Sequence, residues 1–260
     1  MTRVITAWVA QRVKVRLAYR GDFVFQALGD AVITLVGLFL IATIFTHVPD
    51  VRGWDVHELL VCWGMAEACL GTFWVVFQGI YAINRTYILG GELDRLLLRP
   101  VDPFVQILLD NLHLEDVPVI GLGLVVLMIG AHGAGVVWGP AEIVMLPVMV
   151  VSGALVIGGL LTAVTALGFW VHHQGSAIGL AYQLTVYGRY PLDFLPRPLA
   201  ILVSTAMPFT FAGFLPATWF LDRPEWHPYA AIQPLVGVTL MFAAHRFWTW
   251  SSHRYASTGT

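Results

Sequence analysis

The chain has 260 residues, of which 58 % are hydrophobic and only 12 % are charged, with a formal net charge of −2. Ordinary globular proteins carry roughly 25 % charged residues, so a soluble domain is excluded and one membrane-embedded domain, 1–260, is the natural unit. No nucleic-acid partner is expected. Cys62 and Cys69 lie within one apolar run, share a helix face and cannot supply a disulfide framework.

Residues 1–21 place Arg3, Arg12, Lys14, Arg16 and Arg20 between apolar positions such as Val4, Trp8 and Leu17. That pattern predicts a basic amphipathic helix lying in the headgroup region of a cytoplasmic leaflet. The same charges make a removable signal peptide unsuitable here. Asp22–Thr46 reads as the first membrane span, and the turn-forming His47–Val56 as its exit. The second span is expected over Leu59–Ile83, the third over Val117–Ala131 and the fourth from Ile143 to Val171, with a kink at Pro147. Glycines such as Gly71, Gly121 and Gly123 would let spans approach closely. Beyond them the pattern breaks, because Tyr190–Pro198 is proline-rich and Leu199–Leu221 carries Pro208 and Pro216. Two topologies fit: 175–189 is the fifth span with 199–221 re-entrant, or 175–198 is cytoplasmic with 199–221 as the fifth span. In both, Tyr229–Trp248 is the sixth span. The excess of arginine at 85, 95, 99, 246 and 254, with the basic N-terminus, over Arg52 and Arg223 places both termini in the cytoplasm.

Between the second and third spans lies a charged cytoplasmic region, 84–116. Its centre contains Glu92, Asp94, Arg95, Arg99 and Asp102. Leu93, Leu96 and Leu97 recur at helical spacing, and Pro100 and Pro103 stop the helix. A short amphipathic helix between spans is either a solvated loop or a grip for a soluble partner. Glu67 sits in the middle of the second span, where an ionisable group is costly. It is either a structural hydrogen-bonding carboxyl or part of a translocation path, which would suit a proton-coupled secondary transporter. His172 and His173 are adjacent and so form a poor two-ligand site. His113 with Glu115 and Asp116 matches no metal-binding spacing. A membrane-embedded enzyme is therefore the weakest of the three readings, and no phosphate-binding GxxxxGK[ST] loop occurs.

The string GGELDRLLLRPVDPFVQ, Gly90–Gln106, resembles the (S/G)GELDxLLLRPxxPLxQ signature of ABC-2 type exporter permeases. More narrowly, the chain is similar to small bacterial six-span permeases that pair with a second, different permease and a separate ATPase subunit. Phe169–Trp170, Tyr190–Pro191, Pro196, Pro208 and Pro216 extend the likeness over most of the chain, while Phe104 replaces a common aliphatic. The resemblance implies an all-α inner-membrane protein with six transmembrane helices and a cytoplasmic coupling helix. Glu92, Leu93, Asp94, Arg95, Leu98, Arg99 and Pro100 would dock a dimeric ATPase. ATP and magnesium would belong to that partner, leaving this chain with no cofactor and no catalytic residues. It also implies that YPLDFLP and the apolar stretch after it form an extracellular re-entrant element.

Overall fold

The computed structural model describes residues 20–170 and 175–254. The N-terminal amphipathic segment, apart from Arg20 and Gly21, and the His172–His173 pair lie outside the described residues. Regular structure among the described residues is helical, with one isolated bridge between Val51 and Trp54. The long helices are α1 (Arg20–Phe45), α2 (Val56–Phe77), α3 (Val117–Gly133), α4 (Pro140–Ala166) and α6 (His227–Ser252); α5 (Gly175–Gln183) is short. Among the described residues, four stretches are long and apolar enough to cross a membrane: Ala27–Phe45, Val56–Phe77, Leu114–Gly133 and Pro140–Phe169. They correspond to the first four expected spans. Helix α6, at 26 residues, has the length as well, but Gln233, His245 and Arg246 make it more polar.

Each start is written locally. Asp55 caps α2 by accepting from the Glu58 amide at 2.8 Å, and Glu58 returns a bond from the Asp55 amide at 3.1 Å. This reciprocal arrangement satisfies two amides that the first helical turn leaves open. Glu142 accepts from the Gly139 amide at 2.9 Å at the head of α4. Pro147 lies inside α4 without ending it.

Helix α2 is the centre of the fold, with α3 on one side and α4 on another, and α6 behind α4. Glycines set these distances. A Cβ on Gly123 would stand 2.5 Å from the Ala68 amide nitrogen, and one on Gly71 2.8 Å from that of Ile120. Across α4, Gly159 meets the Leu240–Met241 backbone and Gly153 meets Cys69. Backbones this close gain dispersion contact that larger residues would prevent. Gly121, by contrast, has nothing within 4 Å of the place a Cβ would take, so only two of the three expected contact glycines serve that purpose.

The stretch after α4 is broken into short pieces. Helix α5 continues as a 3-10 turn, Leu184–Arg189, and Arg197–Ile201 continues as a π turn to Ala206. Tyr190 and Phe194 pack among Leu59 and Trp63 near the start of α2. The chain then returns to the depth of Ala66, against which Gly213 lies, before Phe214 packs on Trp54 and His227 bonds the Leu221 carbonyl. The expected proline-rich break is thus a descent and a return, with neither limb of span length.

The two glycines of α3 separate close packing from mere helix propensity. Gly123→Val is expected to destabilise the protein by roughly 1–3 kcal/mol through overpacking, whereas Gly121→Val leaves the thermal midpoint in detergent near that of the wild type. Equal midpoints for the two variants would contradict the close α2–α3 contact.

Candidate functional site

The charged region is an elbow at the far end of α2. That helix is followed by Ile80–Ala82 and a π turn over Ile83–Ile88, and Gly91 at φ +72° then reverses the chain. Only Leu93–Leu97 is α-helical, so the expected Gly90–Pro100 helix is one short helix flanked by turns. Leu93 and Leu96 point inward, against a cluster containing Ile83, Tyr87, Ile107 and Trp248. Glu92, Arg95, Leu98, Arg99 and Pro100 face outward, with Asp94 half-buried. Leu98 is 87 % exposed, an apolar side chain at the tip of a charged surface.

Polar side chains, one of them fully buried, hold this elbow in shape. Asp102 caps the Pro103–Asp110 helix, accepting from the amides of Phe104 at 2.8 Å and Val105 at 3.2 Å. Its other oxygen meets His245 Nε2 of α6 at 3.1 Å. Gln106, fully buried, donates to the carbonyls of Leu96 at 3.2 Å and Val101 at 2.7 Å and accepts from Arg99 at 3.4 Å. The elbow is therefore tied to α6 as well as to α2. Sequence reasoning assigns no role to Asp102, Gln106 or His245. The aspartate directly before Pro103 carries a usable signal, since a capping side chain followed by proline opens many helices.

Glu67 lies in the interior, where Arg189 Nη1 meets its Oε1 at 3.0 Å, both side chains mostly buried. The guanidinium also lies 4.5 Å above the Trp63 ring. Arg189 belongs to the stretch whose side of the membrane the sequence leaves open, and the charge rule alone pulls it inward. A residue paired at the middle of α2 no longer reports on sidedness. The pair lines a cavity of about 770 Å³ bounded by α1, α2, Tyr182–Arg189 and the residues leading into α3. His113 and Glu115, 3.1 Å apart, line it too, as does Asp116. Among the described residues no three His, Cys, Asp or Glu side chains are placed to hold a metal ion.

The opposite end is closed by Arg223, which bonds both carboxylate oxygens of Glu58 at 2.8 Å and stacks 4.4 Å over Trp54. The Glu58 hydrogen bonds raise the Arg223 pKa above the usual arginine range. One end is thus tied shut, while the other presents the outward residues of the elbow.

Long apolar helices, a glycine-packed core and a charged elbow define a multi-pass α-helical membrane protein. The family described as ABC-2 family transporter protein matches residues 31–259. This chain belongs to that family, and it is a permease of an ABC transporter. No curated protein matches it.

The buried pair should behave as a unit. Glu67→Ala leaves the Arg189 guanidinium buried without its carboxylate and is expected to cost about 3 kcal/mol or more. The double replacement Glu67→Leu/Arg189→Leu should recover much of that loss. Thermal unfolding of the purified variants in detergent reads both, and additive losses would deny the coupling.

Proposed function

We propose that this permease works in an ATP-driven exporter of the bacterial inner membrane, with ATP hydrolysed by a separate, dimeric ATPase subunit docked on the elbow. The observation that carries the reading is Leu98 at the outer tip of the elbow, flanked by exposed Arg95 and Arg99, while Leu93 and Leu96 anchor the same turn in the core. An exposed leucine amid charges suits a partner's groove, and a firmly anchored turn transmits force. Glu92, Asp94 and Pro100 complete the docking surface, and Leu93 is its anchor. ATP and magnesium belong to the partner. Closure of the ATPase would shift the elbow, and with it α2 and α6, between two packings of the transmembrane domain. A second permease chain, different from this one, would complete the path.

Six crossings suit this reading, with α1 to α4 as the first four, 175–189 as the fifth and α6 as the sixth. Residues 197–221 form a re-entrant element on the outer side, supported by their return from the depth of Ala66 toward Trp54. Arg85, Arg95, Arg99, Arg246 and Arg254 belong to the elbow end, against Arg52 and Arg223 at the other, so the elbow end and both termini face the cytoplasm. The rival reading, a proton-coupled carrier, requires Glu67 to exchange protons along a path. Its engagement by Arg189 gives it a structural task instead.

A tagged protein purified in mild detergent should bring an ATPase with it. Arg95→Glu/Leu98→Asp is expected to lose most of that ATPase without a change in thermal midpoint. Val137→Asp, at an exposed position remote from the elbow, retains it. Wild-type protein that carries no ATPase activity, or an elbow variant that keeps it, would count against the docking assignment.

A further inference from the structure

Among the described residues four arginines lie over an aromatic ring, and they divide into two kinds. Arg189 stands over Trp63 and bonds Glu67, and Arg223 stands over Trp54 and bonds Glu58. Arg254, 5.4 Å over Trp250, and Arg246, 6.0 Å over Phe242, have the ring without the carboxylate. No acidic group among the described residues lies within ion-pair distance of either. A ring attracts a guanidinium but offers no oxygen to its five N–H donors. Both side chains are exposed, and α6 contains no aspartate or glutamate. Asp102, which reaches the adjoining His245, is already committed to that ring and to two amides.

The surface around these charges is preformed. Trp170, at the end of the turn after α4, joins Phe247 and Trp250 of α6 in a cluster of three rings, with centroids 5.3 to 6.0 Å apart. Trp250 is packed on one side and half exposed on the other. Toward the middle of α6 the same outward face turns apolar, with exposed Phe242, Val238 and Leu235 at helical spacing. Leu235 and Arg246 are separated by about 16 Å along the helix axis. That is close to the hydrocarbon depth of one leaflet, half of a bilayer core about 30 Å thick. A free phosphate ion gains nothing from such a stripe. An apolar stripe one leaflet long, then a guanidinium, then an amphipathic indole follows a phospholipid from chain to headgroup.

We propose that the elbow end of α6 binds an anionic phospholipid. Its phosphate accepts charge-assisted N–H bonds from Arg246 in place of the missing carboxylate. One acyl chain lies along Phe242, Val238 and Leu235. Arg254, two turns farther out and held on Trp250, repels the ammonium of a zwitterionic headgroup and so selects a lipid without one. That the leaflet is the cytoplasmic one rests on the orientation proposed above; binding at this face does not.

The test uses the full-length protein in mild detergent, with native mass spectrometry to count bound lipid and the thermal midpoint to read its effect. The probes are dioleoyl phosphatidylglycerol, dioleoyl phosphatidylethanolamine and glycerol phosphate. Wild type is expected to bind phosphatidylglycerol saturably with a raised midpoint, phosphatidylethanolamine roughly tenfold more weakly, and glycerol phosphate not measurably. Arg246→Gln/Arg254→Gln drops both charges and should weaken phosphatidylglycerol binding roughly tenfold. Arg52→Gln, at an exposed position on the other end, should leave it unchanged. Arg246→Lys keeps a charge without the forked N–H edge and should bind in between; it carries the comparison if the double variant fails to fold. Equal binding of the two lipids, folded elbow-end variants that bind as wild type, or an equal loss in Arg52→Gln would overturn the site. Glycerol phosphate bound as tightly as the lipid would make this a site for a soluble anion and overturn the lipid. Loss of the co-purified ATPase from the double variant, with phosphatidylglycerol still bound, would give this face to a protein partner. Phosphatidylglycerol bound by a wild type that carries no ATPase defeats the transporter assembly and leaves the lipid site standing.

Discussion

The arrangement depends on how a broken backbone is satisfied at the depth of the centre of α2. Between Leu184 and Thr218 the chain repeatedly leaves α-helical geometry, and in apolar surroundings every freed carbonyl must find a donor. Gln233 of α6 supplies the central one. Its amide nitrogen donates to the Met149 and Phe211 carbonyls, each at 3.1 Å, and its oxygen accepts from the Ser152 hydroxyl at 2.7 Å. One fully buried side chain thereby ties α6, α4 and the returning segment together. Thr210 adds a bond to the Val203 carbonyl at 3.2 Å. The Phe209 carbonyl packs on Gly188, the neighbour of Arg189. The position of the guanidinium beside Glu67 is thus inherited, through Gly188 and Phe209, from an amide on the last helix.

The two ends of the molecule use the same chemical materials differently. At one, Glu58, Arg223, Trp54 and the Gly53 carbonyl satisfy each other, so charge is consumed in closing the fold. At the other, Asp102 divides its two oxygens between a helix start and His245, and Gln106 fixes the turn from within. That leaves Arg95 and Leu98 outward. Polar groups inside the elbow hold its shape; those outside give it a surface.

Much of this was legible in the chain. Runs of apolar residues locate α1 to α4 because a bilayer demands length and hydropathy, both local quantities. The Gly90–Gln106 string located the elbow, and its two glycines and two prolines explain why the helix there is confined to Leu93–Leu97. Glu67 was visible as a costly residue, but its partner was not. Arg189 is distant in sequence and sits in a segment whose prolines and glycines blur any period, and a charge count treats it as a marker of sidedness. Gln106 and Gln233 carried no signal either, since a glutamine looks the same on a surface as in a core until its neighbours are known. Gly121 and Gly123 could not be told apart because the distinction lies in what stands opposite.

Helix α1 is held quite differently from the rest. Only 11 % of its apolar window is buried within the described fold, and Phe25, Ile33 and Phe39 remain largely uncovered by protein. Helix α6 is the reverse: Gln233, Gly237 and Trp248 are built into the interior. A ribosome makes α1 before these other helices and α6 after them. A nascent chain that has released α1 through α4 into the bilayer still lacks the amide that satisfies the Phe211 carbonyl and the ring that roofs Phe104. Consolidation therefore lags synthesis, and the interior of the described fold closes around α6, a helix made after α1 to α4.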